Sequence, residues 1–217
     1  MKRTEQLSYN PTVALAHLRT ADTILGELID RVGPFDLEIQ PAHSLFEALL
    51  RSIVYQQLHG RAAATIHGRV LATLKPHGGI NPATLALVAD EALRAAGLSR
   101  AKLAAIRHLA QKCTEGVVPT LATSRKLSDD ELVARLCAVR GIGPWTVHML
   151  LLFTLGRPDV MPTGDFAIRL AFQRLYRKRK SPTPAVILKH ARCWAPYRSV
   201  ASWYLWRSLE LPKTVKD

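Results

Sequence analysis

The chain has 217 residues, enough for one compact unit or two small helical lobes. Its 30 Lys+Arg against 17 Asp+Glu leave a formal charge of +13, an excess that favours a polyanionic partner such as nucleic acid. Three scattered cysteines, Cys113, Cys137 and Cys193, form no CxxC pair, which argues against a zinc or iron–sulfur centre. With no apolar leader core in Met1–Gln6 and no long apolar run, a cytoplasmic location is expected.

Apolar residues Val13, Leu15, Leu18, Ile24, Leu25, Leu28 and Ile29 recur at three- and four-residue spacings, which predicts helix up to Gly33-Pro34. Ser44 with Glu47 has capping-box spacing and predicts a helix to about Leu58. A helix from about Arg61 to Leu74 stops at the Lys75-Pro76-His77-Gly78-Gly79 turn. Asn81-Pro82 and Asp90-Glu91 start two short helices, and Ser99 caps a longer one to about Thr114. Residues 115–126, rich in Gly, Pro, Thr and Ser, are the best linker candidate. Ser128-Asp129-Asp130-Glu131 starts a helix that reaches about Val139, with its acids where they favour the macrodipole. Pro182 to Trp194 and Ser199 to Leu209 complete the series. No strand-like alternation and no fixed repeat occurs, so the fold class is all-α, with roughly nine or ten helices on short loops.

The chemistry concentrates between Leu136 and Phe172. Arg140-Gly141-Ile142-Gly143-Pro144 predicts a tight hairpin between two helices, with Pro144 in the first turn of the second. Gly141 and Gly143 permit positive φ and close approach to an anion, and the amides of a helix start suit a phosphate. Such a grip has no sequence preference. The turn Met161-Pro162-Thr163-Gly164-Asp165 then opens a second apolar run, with Asp165 at its start. An aspartate there is an N-cap by residue type, and a carboxylate held by helix amides is also fixed in orientation.

GIGPWT followed by MPTGDFAIRLAF resembles the helix-hairpin-helix plus Gly/Pro-Asp signature of the HhH-GPD DNA glycosylase superfamily. The branch it resembles is that of monofunctional 3-methyladenine DNA glycosylase II enzymes. Ser52-Ile53-Val54-Tyr55-Gln56-Gln57-Leu58, Gly97 to Lys102 and Trp194 to Ser199 agree with it. The resemblance implies a single two-lobed HhH-GPD unit without an extra N-terminal β domain. Lobe one would run from about 35 to 125, and lobe two over about 1–34 plus 126–217, with the helix-hairpin-helix near 128–155.

The resemblance also implies roles. Asp165 would be the catalytic acid. Trp145, Tyr55, Trp206 and Phe166 would form an electron-rich base pocket, since ring faces attract a cationic base. Gln56, Gln57, His59, Arg100, Lys102, Arg140, Gly141, Gly143 and Thr146 would face DNA. Gln57 would be the wedge that fills the gap left by a flipped nucleotide, and His59 would touch the minor groove. A structural Na+ or K+ would sit on the carbonyls of Cys137, Val139 and Ile142, and no cofactor is implied for catalysis. Trp145 stands where bifunctional relatives carry a lysine, so an enamine-type lyase step is not expected. Two departures stand out: Arg140 replaces the proline common before GIG, and Met149 takes the place of a pocket tyrosine in some relatives.

The implied activity is hydrolytic removal of alkylated purines such as 3-methyladenine and 7-methylguanine from duplex DNA in base excision repair. It would leave an abasic site. A monomer, nucleoid-associated if the source is bacterial, is expected. Glycoside hydrolysis usually needs two carboxylates. One suffices when the leaving base is already cationic and the carboxylate stabilises the oxocarbenium or orients water. Two alternatives remain open: a non-catalytic helix-hairpin-helix DNA-binding module, and a glycosylase for other damaged bases.

Overall fold

The computed structural model describes residues 7–212, so the Met1–Gln6 stretch judged for a leader lies outside the described residues. Among the described residues there are thirteen α-helices and two short 3-10 segments, with no strand. The all-α class is as expected, and the number of helices is higher. Two local events account for much of the surplus. The first apolar run breaks at Asp22 into α1 (Pro11–Ala21) and α2 (Thr23–Val32), and the expected linker contains the four-residue α8 (Leu121–Ser124). That linker is packed inward, with Val118 and Ser124 buried. No helix among the described residues is long and apolar enough to cross a membrane.

The chain divides into two units, Met1–Pro41 with Leu151–Asp217, and Ala42–Leu150. In the first unit Asn10 caps α1, and Asp22 ends α1 and caps α2 through a bond from the Leu25 N–H, 3.1 Å. Gly33 stops α2 at φ 91°, and its carbonyl accepts the Tyr204 hydroxyl at 2.9 Å. The C-terminal half supplies α11 (Phe166–Leu175), α12 (Pro184–His190), a 3-10 turn Ala191–Trp194 and α13 (Arg198–Ser208). Leu18, Leu25, Leu28 and Ile29 bury against Phe172, Trp194, Val200 and Tyr204 in one apolar cluster. Burial of such side chains contributes on the order of 1.5–3 kcal/mol each.

A polar node sits inside that cluster. Asp22, with a side chain 7% exposed, receives the Tyr176 hydroxyl (2.7 Å), His190 Nε2 (2.8 Å) and Trp194 Nε1 (2.9 Å) on one oxygen. Burial pushes its carboxyl up, but the bonds from Tyr176, Leu25, His190 and Trp194 together outweigh this and hold it below the usual carboxylate range. Cys193 lies beside these groups. Three donors saturate the inner Asp22 oxygen, so the cluster works as a hydrogen-bonded tie.

In the second unit α3 (Leu45–Tyr55) starts at Ser44, whose Oγ accepts the Glu47 N–H. The Glu47 carboxylate takes the His43 N–H. The helix stops three residues before the expected Leu58, because the chain leaves helical geometry at Gln56 and enters positive φ at Gln57. Then come α4 (Gly60–Leu74), α5 (Pro82–Leu87), α6 (Asp90–Ala95), α7 (Arg100–Thr114), α9 (Asp129–Leu136) and the first seven residues of α10 (Pro144–Phe153), whose last three belong to the first unit. Leu49, Leu50, Ile53, Ile106, Leu109, Leu132 and Leu136 are buried. The hairpin between α9 and α10 belongs to this unit, whereas the sequence grouped it with the terminal segments. Its anchors within this unit are a side chain after α3 and two on α7, described below.

Candidate active site

The hairpin follows a complete capping box, in which Ser128 and Glu131 satisfy each other's main chain at the start of α9. After Leu136 the chain turns, and the Val139 carbonyl accepts the Ile142 N–H at 3.0 Å. Gly141 takes φ 79°, where an L side chain is strained by about 1–2 kcal/mol. A Cβ there would also lie 3.4 Å from Ala105 Cβ. Gly143 does not share the positive φ expected of it; its surroundings are open, so its lack of a side chain keeps the surface clear. Val139 and Ile142 are buried, Arg140 and Gly141 exposed. The turn therefore offers mainly backbone outward. With the amides of the α10 first turn it is suited to an anion such as phosphate. The Thr146 side chain is buried.

Around this hairpin the second unit arranges its other candidates differently from one another. Gln57, His59 and Arg100 are exposed. Gln56 and Lys102 are turned to the protein: Gln56 Nε2 donates to the Gly141 carbonyl at 2.8 Å, and Lys102 Nζ donates to the Val54 and Gln56 carbonyls at 2.7 and 2.8 Å. On the hairpin's α7 side, the Arg140 N–H donates to His108 Nδ1 at 2.9 Å. His108 was not legible as a site neighbour, since only the folded register brings it to the turn.

Of the aromatic candidates in this unit, Trp145 is 48% exposed, at the start of α10. Tyr55 is half-buried, with the Arg51 guanidinium 4.5 Å over its ring and His67 edge-on at 5.9 Å. One face of Tyr55 is thus covered by its own unit.

The first unit carries the carboxylate. Asp165 caps α11, and its Oδ1 accepts the Ile168 N–H at 2.9 Å and the Trp206 indole N–H at 3.2 Å. The helix cap and the candidate acid are therefore the same group, held by these two bonds. Trp206 is itself held against Phe153, ring centroids 5.7 Å apart. Phe166, the next residue, is 71% exposed.

The approach to Asp165 is stitched down by residues that sequence reasoning passed over. Ser199 Oγ accepts the Val160 N–H and donates to the Arg157 carbonyl, 2.9 and 2.6 Å. Ser202 Oγ donates to the Val160 carbonyl at 3.1 Å, and Arg198 forks onto Asp159 at 2.6 and 2.7 Å. Ser199, Ser202 and Trp206 are spaced three and four apart, so one face of α13 holds both the loop and the acid. The available signal was two serines at that spacing, Ser199 before and Ser202 among the apolar residues Val200 to Trp206 of the helix. A cleft of about 720 Å³ in the same unit, lined by Ile24, Arg31, Arg174, Arg177 and Leu209, includes neither Asp165 nor Trp206. Volume alone therefore does not locate the chemistry.

Comparison with known proteins bears on this arrangement. Residues 50–196 match the family described as HhH-GPD superfamily base excision DNA repair protein. DNA-3-methyladenine glycosylase 1 of Schizosaccharomyces pombe is 35% identical over 98% of this chain and 93% of its own length. The solved structure of the 3-methyladenine DNA glycosylase of that yeast in complex with abasic DNA matches with a TM-score of 0.79. It is 36% identical, over 92% of this chain and 97% of that one. A DNA-3-methyladenine glycosidase from Bacillus halodurans matches with a TM-score of 0.81 at 33% identity, over 93% of this chain and 90% of that one.

Proposed function

The chain belongs to the HhH-GPD superfamily of base excision DNA repair proteins, and from that premise we propose that it is a DNA glycosylase that excises alkylated purines from duplex DNA. The observation that carries this reading is Asp165, a carboxylate held by both the Ile168 amide and the Trp206 indole. Asp22 is held by the same pair of bonds but is nearly sealed from solvent, whereas Asp165 is only partly buried and stands beside the exposed Phe166. The relatives named as 3-methyladenine glycosylases support the same substrate class.

The reaction is hydrolysis of the bond between the purine nitrogen and the sugar C1′. The bond's electron pair leaves with the base, and a base alkylated to a cation departs neutral without being protonated. The sugar develops oxocarbenium character, which the Asp165 carboxylate stabilises. Water adds at C1′ and gives up a proton, and the abasic sugar is the product. Trp145 has no amine, so no Schiff base forms and the strand stays intact. Phe166 and Trp206 in the first unit, and Tyr55 and Trp145 in the second, are ring faces of the kind that attract a cationic base, each worth about 0.5–2 kcal/mol where the ring is engaged.

The hairpin grips phosphate without reading sequence, and +13 of net charge adds salt-dependent affinity. Backbone carbonyls are the donors a hard monovalent cation takes. The carbonyls of Cys137, Val139 and Ile142 are the ones that would hold such an ion, with the Val139 carbonyl also accepting the Ile142 N–H, and the ion would supply fixed positive charge near the phosphate. The protein acts as a monomer on damaged double-stranded DNA.

The test is to incubate the protein with methylated duplex DNA and analyse both fractions. Free 3-methyladenine and 7-methylguanine, with a strand cut only after alkali, are expected. Tight binding with no released base would instead identify a DNA-binding module, and release confined to oxidised or mismatched bases would move the substrate class.

A further inference from the structure

The end of α3 consumes a lysine. The Val54 and Gln56 carbonyls lie at the helix C-terminus, and Lys102 Nζ reaches both at 2.7 and 2.8 Å. An ammonium at this pole satisfies orphan carbonyls and complements the macrodipole. It is drawn partly out of water to do so, and burial lowers its pKa from the usual lysine value. The next residue, Gln57, has φ 55° and is exposed; with Arg177 it is one of two non-glycine residues at positive φ among the described residues. An L residue stays in that region only where its surroundings hold it.

The same stretch is tied to the hairpin. Gln56 donates to the Gly141 carbonyl, and Arg140 donates its N–H to His108. Lys102, Ala105 and His108 follow at three-residue steps along α7: the first braces the end of α3, the second limits space at Gly141, and the third accepts from the hairpin. One helix therefore sets the spacing between the exposed Gln57 and the phosphate-gripping turn.

We propose that Lys102, together with Gln56, is a positioning residue that presents Gln57 to the duplex in fixed register with the hairpin. It contacts neither base nor phosphate and acts through Gln57. This rests on the glycosylase reading for the need of a wedge that fills the gap behind a flipped nucleotide.

The experiment uses a duplex containing a stable abasic analogue beside 2-aminopurine, whose fluorescence reports filling of the gap. Affinity for the same duplex without the lesion is measured in parallel. Lys102→Met should weaken binding to the lesion duplex by about tenfold while changing undamaged binding less than about twofold, and Lys102→Arg should recover much of the loss. In a Gln57→Ala background Lys102→Met should add almost nothing, because the residue through which it acts is gone. An equal factor in both backgrounds, or equal weakening on damaged and undamaged DNA, overturns the proposal. If Lys102→Met fails to fold, Lys102→Gln runs the same cycle with the same outcomes. Release of 3-methyladenine by the unaltered protein is followed separately. Release with an additive cycle sinks only the positioning role; a coupled cycle without release sinks only the glycosylase reading.

Discussion

Asp22 and Asp165 begin helices in the same unit by the same device. Each accepts the N–H three residues on, from Leu25 at 3.1 Å and Ile168 at 2.9 Å. Each also accepts an indole N–H, from Trp194 at 2.9 Å and Trp206 at 3.2 Å. They differ in what else surrounds them. Asp22 adds Tyr176 and His190 and is nearly sealed from solvent, while Asp165 stands beside the exposed Phe166. Cap geometry alone thus does not separate the sealed Asp22 from the carboxylate proposed as reactive, Asp165; exposure does.

Four measurements would break or sharpen this contrast. The largest expected effect is at Asp165. Asp165→Asn should lower single-turnover excision of 3-methyladenine by about a hundredfold or more while leaving Tm within about 2 °C, since the cap survives in part. Normal excision by that variant would remove the reactive half of the comparison. Asp22→Asn should do the reverse. Both Asp22 oxygens accept, so an amide must turn an NH2 toward either the Leu25 N–H or the three side-chain donors, and stability should fall by about 2–4 kcal/mol, or about 5–12 °C in Tm. Excision per folded molecule should stay within about threefold; a matched loss of activity in calorimetrically intact protein would merge the two roles.

The third measurement is of pH. The Asp22 carboxyl is depressed in the folded protein, so it contributes stability that is present above the unfolded value near 4 and lost as pH falls through the lower folded value. Between about pH 5 and pH 3 the urea midpoint of the unaltered protein should fall more steeply than that of Asp22→Asn. Parallel slopes would show that other carboxylates dominate acid unfolding. The smallest effect is at Trp206. Trp206→Phe keeps the ring beside Phe153 but removes the indole donor to Asp165, and should slow excision by about three- to tenfold with little change in Tm. An unchanged rate would show that the indole N–H does not orient Asp165 for the reaction.

Much of this was legible in the chain because glycine, proline and capping residues announce local geometry. Gly141 does take positive φ, Pro144 does start α10, and Asp165 does cap α11. What stayed hidden depends on partners distant in sequence. Asp22 looked like a polar position inside one long apolar run, because Tyr176, His190 and Trp194 follow it by 154 to 172 residues. Lys102 looked like a phosphate contact, being a cation in the first turn of a helix. Only folding shows its ammonium spent on two carbonyls, 46 and 48 residues away. Ser199 and Ser202 are unremarkable as residue types; their meaning comes from the loop they fasten.

The first unit is assembled from both ends of the chain, with the second unit's residues between them in sequence, and this has a consequence on the ribosome. Leu18, Leu25, Leu28 and Ile29 emerge early, but Tyr176 is not added until 154 residues after Asp22. At about 5–20 residues per second, that is a wait of roughly 8–30 s with an apolar helix pair uncovered. The Ala42–Leu150 stretch has no such delay. A nascent chain stalled before residue 170 should therefore draw holdase chaperones to its first 32 residues, and completing α13 should release them.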